Sequence, residues 1–490
     1  MPRIRPVRCS VASSARDAGL TRVSPALRAA LAALLLCIAM LALFWPGIAM
    51  FDSLNQYQQI VSGKYDDWHP PAMARLWSVF HAAGWQGQAP MFLLQMLLAW
   101  TGLGLFAAVL ARQGRRVAAG MVLLLGIWPP IAGWQVAVLK DGQMAGALLA
   151  AVGVASWWRL RDRTLPRGAW ALVAVLLLYA TLVRINALFA TVPLAFGLLG
   201  TGHLHYPLRR AGLMLVAVIV VLAAMPGINH GLLRASASDV GRSLPIYDLA
   251  GIAHHAGPQA VPALPASAWR AAEAQHCIRP LLWDPLGDRC GFVSDGLARA
   301  APGGKLALLW VGTIARHPLA YAAHRLAHWN ATMRWFVPWR YPLAEPQADS
   351  EPNGLGLASP APRIARFQWL AGLLAESPIG APILWFAAAL SVVALCWRRA
   401  DAAGRLATTL ALSAVLTELA FLVISVAADY RYHLWAMLAT GLALVLVAGM
   451  KLPRRNLGIA LAALLLIGST ALAARLILPP VVETYTDAAG

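Results

Sequence analysis

Apolar residues gather into long runs along this chain, at about 27–50, 91–111, 117–139, 142–158, 169–183, 187–199 and 211–226. Four more follow at about 379–397, 406–428, 434–450 and 457–478. A bilayer span needs about 20 predominantly apolar residues, range roughly 17–25, and most of the runs reach that length. Runs 169–183 and 187–199 are short. They are either one run broken by Arg184 and Asn186 or two short helices meeting at a polar bend. Alternation of the flanking charges favours two, so an all-α polytopic fold with about eleven transmembrane helices is predicted.

The pattern changes between residues 228 and 377, which are rich in Pro, Gly, Trp and His. This stretch is too long for a connector and too rich in Trp for a disordered linker. A mostly helical domain outside the cytoplasm is expected there, with a short helix on or beside the membrane at about 306–314. Trp329, Trp335 and Trp339 suit an interfacial belt or, alternatively, a sugar-stacking surface.

Residues 51–90 have a pattern of their own. Asp52, Asn55, Gln56 and Gln59 recur on one helical face, and Leu54, Tyr57 and Val61 on another. Gly63 is a natural stop. Met73, Leu76, Trp77 and Phe80 then form a second apolar stripe that ends near Gly84. Two short amphipathic helices lying in the membrane interface are predicted.

Composition agrees with the runs: of 490 residues, 59% are hydrophobic and only 12% charged, where a soluble domain averages about one quarter charged. The net charge of +19 raises the question of nucleic acid. The basic residues, however, fall in short dispersed clusters without interleaved aromatics, which excludes that partner class. The clusters are the Arg-rich first 28 residues, Arg112/Arg115/Arg116, Arg159/Arg161/Arg163/Arg167, Arg209/Arg210, Arg398/Arg399/Arg405 and Lys451/Arg454/Arg455. By the positive-inside bias these face the cytoplasm.

The expected organisation is a cytoplasmic basic N-terminus (1–26), a membrane body (27–227) carrying the first outer loop (51–90), an extracytoplasmic domain (228–377), C-terminal transmembrane helices (378–478) and an extracytoplasmic tail (479–490). The expected location is a bacterial inner membrane, with the outer loops in the periplasm. Run 27–50 exceeds a signal-peptide core of about 7–15 residues and lacks a small-x-small cleavage site, so it reads as an uncleaved span. Cys277 and Cys290 both lie in the outer 228–377 stretch and are candidates for a disulfide. Cys9 is expected in the cytoplasm, Cys37 and Cys396 in apolar runs, and no metal-type spacing of Cys and His is present.

Candidate chemistry concentrates where spans meet water. Asp52 follows the first span and begins a helix, so it is either an N-cap or a general base toward an acceptor hydroxyl. Asp66, Asp67 and His69 follow in Tyr65-Asp66-Asp67-Trp68-His69-Pro70-Pro71. They are either turn residues, ligands for a divalent cation such as Mg or Mn, or hydrogen-bond partners of sugar hydroxyls. Lys140-Asp141 interrupts the apolar course, as an ordinary loop end or as functional charge. Arg184-Ile185-Asn186 sets an Arg at an outer bend against the charge trend, and a guanidinium suits bidentate phosphate binding. Asp429-Tyr430-Arg431-Tyr432-His433 offers a second clamp or an interfacial anchor. Ser/His/Asp nucleophile motifs, P-loops and dinucleotide glycine fingerprints are absent.

Taken in order, these elements resemble the GT-C superfamily of polytopic glycosyltransferases, which use polyprenyl-phosphate-linked sugars. Phe51-Asp52-Ser53 matches the family's placement of a catalytic Asp soon after the first span. Tyr65-Asp66-Asp67-Trp68-His69-Pro70-Pro71 resembles an element of bacterial members related to protein O-mannosyltransferases. Lys140-Asp141, Leu182-Val183-Arg184-Ile185-Asn186-Ala187 and Arg431-Tyr432 stand where such members carry polar signatures. One departure is Ser53, where the mannosyltransferase branch has Glu after the Asp.

The resemblance implies a GT-C-like fold and a catalytic Asp52. Lys140, Arg184, Arg431 and Tyr432 would hold the donor phosphate, and Asp66, Asp67, His69 and Asp141 the sugar or a cation. A glycan, lipid or protein would be the acceptor. The alternatives are a transporter or flippase of lipid-linked sugars and a noncatalytic envelope assembly factor.

Overall fold

The structure, a computed structural model, describes residues 23–200 and 207–480. Cys9, most of the expected N-terminal basic segment and nearly all of the 479–490 tail lie outside the described residues. Among the described residues the chain is helical, with isolated bridges in place of strands, and it is a helical membrane protein.

The first part comprises α1 (Pro25–Phe44), α2 (Phe51–Ser62), α3 (Ala72–Ala82), α4 (Ala89–Arg112), α5 (Arg116–Ile127), α6 (Pro129–Gln135), α7 (Lys140–Arg159), α8 (Arg167–Val183), α9 (Leu188–Leu194) and α10 (Pro207–Pro226). The 228–377 stretch holds α11 (Ser243–Ala256), α12 (Ala266–Ala274), α13 (Asp284–Gly287), α14 (Gly291–Ala300), α15 (Lys305–Arg316), α16 (Pro318–Met333) and α17 (Ala365–Glu376). The chain closes with α18 (Pro382–Cys396), α19 (Ala402–Ile424), α20 (Leu434–Val447) and α21 (Arg454–Ile477).

Local chemistry sets the helix ends. Ser24 caps α1 by accepting from the Leu27 amide at 3.2 Å, with Pro25 at the first helical position. Asp401 caps α19 through the Gly404 amide at 3.1 Å. Gly63 ends α2 in the left-handed region at φ 70°, which a side chain would resist. The two short helices expected in the 51–90 segment are therefore present. Met73 and Trp77 of the second are fully buried.

Among the described residues, six helices are long and apolar enough to cross a membrane: Pro25–Phe44, Ala89–Arg112, Leu208–Leu232, Ala402–Ile424, Tyr430–Val447 and Arg454–Ile477. A seventh crossing results if α5 and α6, bent by 53° at Trp128, act as one. The other runs are shortened or broken by polar or proline-marked bends, as where Arg184 separates Arg167–Val183 from Ile185–Leu199. Helix α7 has the length, 20 residues, but opens with Lys140, Asp141 and Gln143.

In lipid, apolar side chains gain little by meeting each other, so close approach of small residues decides helix packing. Helix α4 packs against both α1 and α7, and α7 against α8. A Cβ added at Gly102 of α4 would strike the Leu149 and Ala150 backbone of α7, and one at Gly153 would strike the backbone of Gly102. Helix α20 completes the core against α18, α19, α5 and α7.

The basic turns meet at one end of this bundle. Arg115 donates to the Val445 and Leu446 carbonyls at 3.0 and 3.2 Å, and Arg159 to the Leu198 carbonyl at 2.7 Å. Arg405 faces Asp162 at 3.9 Å. Isolated bridges tie connections together elsewhere, pairing Ile48 with Ala137, Asp66 with Ser236 and Leu282 with Ala427. The 228–377 stretch has its own apolar core around Tyr247, Trp269, Leu286, Val293 and Leu297, and Cys277 and Cys290 within it are joined by a disulfide.

Candidate functional site

The connection after α1 pairs with the connection before α7. The Ile48 amide donates to the Val136 carbonyl at 3.2 Å, and the Val138 amide to the Ile48 carbonyl at 2.8 Å. This pairing brings the start of α2 against the start of α7. Asp52 is not the N-cap of α2. Met50 holds that position in extended conformation, and Ser53 Oγ accepts from the Met50 amide at 3.1 Å while donating to the Val138 carbonyl at 2.6 Å. With Ser53 serving the backbone, the carboxylate of Asp52 is free to face other groups.

Those groups are two cations and an imidazole. Asp52 Oδ2 lies 3.3 Å from Lys140 Nζ and 3.2 Å from Arg431 Nη2, and its Oδ1 lies 3.8 Å from His69 Nε2. Lys140 Nζ is also 2.6 Å from His69 Nδ1. An ammonium only donates, so Nδ1 accepts and the imidazole hydrogen sits on Nε2, facing Asp52. Burial and the neighbouring Lys140 push the His69 pKa down to about 3, which keeps the ring neutral. Burial alone would favour a protonated Asp52, but the charges of Arg431 and Lys140 outweigh it and hold the carboxyl well below its ordinary range.

Two further pairs adjoin. Arg184 is extended at φ −151° and ψ 109°, between α8 and a short 3-10 turn. Its side chain forms an ion pair with Asp141, donates to Asn186 Oδ1 at 2.8 Å and lies 4.2 Å above the Tyr432 ring. Arg431 Nε lies 2.7 Å from Asp429 Oδ2 and 3.9 Å from Asp141 Oδ2. The start of α7 is held by buried amides. Gln95 Nε2 donates to the Gln135 and Ala137 carbonyls at 2.7 and 3.0 Å, Gln135 Nε2 to the Gly142 carbonyl at 3.0 Å, and the Tyr179 hydroxyl to Gln143 Oε1 at 3.0 Å.

The structure thus brings together Asp52, His69, Lys140, Asp141, Arg184, Arg431 and Tyr432. Asp66 and Asp67, grouped with them in the expected sugar or metal site, do not join. The Asp66–Ser236 bridge turns this stretch toward the chain after α10. Asp66 Oδ1 accepts from Gln59 Nε2 at 3.1 Å and the Trp68 amide at 3.0 Å. Asp67 Oδ1 accepts from the Ser238 amide and hydroxyl, both at 2.7 Å, and its Oδ2 lies 3.4 Å from His230 Nε2. Both acids fasten the 51–90 segment in place.

The cluster's carboxylates face Lys and Arg, and among the described residues no three His, Cys, Asp or Glu side chains converge as metal ligands. Trp329 and Trp335 are also elsewhere engaged: their ring nitrogens donate to the Glu418 carbonyl at 3.2 Å and Thr470 Oγ1 at 3.0 Å, in α19 and α21.

Sequence reasoning missed three participants. Asp429 buttresses Arg431, and only its place beside that Arg hinted at it. Gln56, one turn beyond Asp52, is buried with neither amide atom hydrogen-bonded, although its helical spacing was visible. Asp284 carries a carboxyl pushed up to about 6, chiefly by burial, and it also feels Asp52 and Arg431. It stands in an aperiodic stretch that offers no pattern to read. Comparison with protein-family models, with curated proteins and with solved structures finds no match.

Proposed function

We propose that this chain is a membrane glycosyltransferase. It would move a sugar from a polyprenyl-phosphate donor to an envelope glycan, lipid or protein hydroxyl on the periplasmic side of a bacterial inner membrane. The observation that carries the reading is one carboxylate, Asp52, held between Lys140 and Arg431 at 3.3 and 3.2 Å. A carboxylate base set among cations suited to phosphate, at helix ends rather than mid-bundle, is the equipment for displacing a sugar from a lipid phosphate. The GT-C resemblance supports the same reading. The shorter apolar helices leave room for more spans than six, and the positive-inside bias would put the basic turns in the cytoplasm.

In the proposed reaction the Asp52 carboxylate takes the proton of the acceptor hydroxyl. The hydroxyl oxygen bonds to the anomeric carbon, the bond from that carbon to the phosphate oxygen breaks, and polyprenyl phosphate leaves with the electron pair. Lys140, Arg431 and Arg184 stabilise the charge growing on the phosphate, and Tyr432 orients the guanidinium above it. In the free site the cations hold Asp52 too weakly basic to work well. A bound phosphate shares their charge, raises the proton affinity of Asp52, and so ties base strength to donor occupancy. Neutral His69 takes no proton in this scheme and positions the Lys140 ammonium.

The test is transfer from a panel of radiolabelled polyprenyl-phosphate hexoses and pentoses by purified protein in lipid. Asp52→Asn is expected to abolish transfer while the protein remains folded. Transfer at the wild-type rate by that variant would remove the reading.

A further inference from the structure

Beside the cluster, two tryptophans from distant parts of the chain meet. The Trp68 and Trp283 rings lie with centroids 6.0 Å apart and planes tilted by 40°. Trp68, 37% exposed, directly precedes His69, which faces Asp52. Trp283 is fixed by backbone: its amide donates to the Val426 carbonyl at 2.9 Å, and the Ala428 amide to the Leu281 carbonyl at 2.7 Å. That strip runs straight into Asp429 and Arg431. Asp284 directly follows Trp283, at the start of α13, and its carboxyl feels the charges of Asp52 and Arg431.

We infer that Trp68, Trp283 and Asp284 form the acceptor subsite and that the acceptor is a carbohydrate, with a pyranose ring laid on the tryptophans and its hydroxyls bound by Asp284. The inference rests on the proposed transferase reading and deepens it by choosing the acceptor class. A pyranose has an apolar face of C–H groups that suits an indole surface, and a rim of hydroxyls that suits a carboxylate. A peptide acceptor would call instead for exposed backbone donors and acceptors along an extended groove. Neither tryptophan is fully buried: Trp68 is partly exposed, and Trp283 is partly buried where it packs against the second apolar core.

The test needs no donor. Purified full-length chain in detergent is titrated with chitotriose, mannotriose and cellotriose, and with a Ser/Thr-rich peptide, following tryptophan fluorescence and calorimetry. At least one trisaccharide is expected to bind. Asp284→Asn and Trp68→Phe should each weaken it by about tenfold, the size expected for losing one good polar or aromatic contact. Trp68→Phe alters a partly exposed ring, and a thermal melt equal to wild type establishes that each variant is folded. Binding of none of the trisaccharides, equal binding by the variants, or binding of the peptide alone would overturn the inference. Each of these outcomes leaves the transferase reading to stand or fall on Asp52→Asn.

Discussion

Lys140 Nζ sits 3.3 Å from Asp52 Oδ2, although four helices lie between them in the chain. Neither residue reaches the other through its own helix. The backbone of the two preceding connections is paired, and the first turns of α2 and α7 face each other as a result. Removing one partner of a buried ion pair leaves the other charge exposed to low dielectric, which costs about 3–5 kcal/mol. Lys140→Met is expected to lower the unfolding temperature and to cut transfer by about 100-fold, the loss typical of one preorganised charge-stabilising group. A double-mutant cycle with Asp52→Asn should show strong coupling. Additive effects would mean the two groups act independently.

The imidazole of His69 makes acid sensitivity testable. Its pKa is about 3 in the fold against 6.5 ordinarily, so between those values the unfolded chain holds a proton that the folded chain lacks. Stability must then rise with pH across that window. The depressed Asp52 contributes in the opposite place: its share is present above the ordinary carboxylate range and lost only in stronger acid. Melting temperatures at pH 4 to 7 should climb less steeply in His69→Gln than in wild type. Equal slopes would show that His69 is not buried neutral.

Close helix packing gives a stability prediction. Gly153→Val would force a side chain into the backbone of Gly102, and α4 and α7 would have to separate. Little folded protein is expected by size-exclusion chromatography. Gly458→Val, whose added atoms meet open space, should behave as wild type. Normal behaviour of Gly153→Val would contradict the contact.

The bond between Cys277 and Cys290 closes a short loop in the 228–377 core. A loop of about 15 residues is worth about 3 kcal/mol through the unfolded chain. Cys277→Ser with Cys290→Ser should speed proteolysis of that stretch and leave the α1–α4–α7 contact intact. In protein prepared without reductant, these thiols should resist maleimide until reduced. Immediate labelling would place the stretch in a reducing compartment and reverse the proposed orientation.

Much of the fold was legible in residue patterns because bilayer helices are written in long apolar runs, and the 51–90 helices in a 3.6-residue period ended by Gly63. The membership of the site was partly legible for a different reason. Lys140, Arg184 and Arg431 are charges where lipid would exclude them, so each stands out singly. Their mutual arrangement was hidden. Nothing in the spacing of Ile48 and Ala137 announces a pairing, and acids as close in sequence as Asp52 and Asp67 part company because backbone bonds to Ser236 turn one away. Asp284 was invisible because it belongs to an aperiodic stretch that gains its meaning only from where Leu281–Trp283 docks.

The pairing of Ile48 with Ala137 has a mechanical consequence. A membrane that tilted or stretched α1 would carry the 48–50 connection with it, and the connection before α7 would follow through two backbone bonds. Acid and ammonium therefore ride as one piece, and their separation is insulated from lateral pressure and bilayer thickness even while the outer helices adjust.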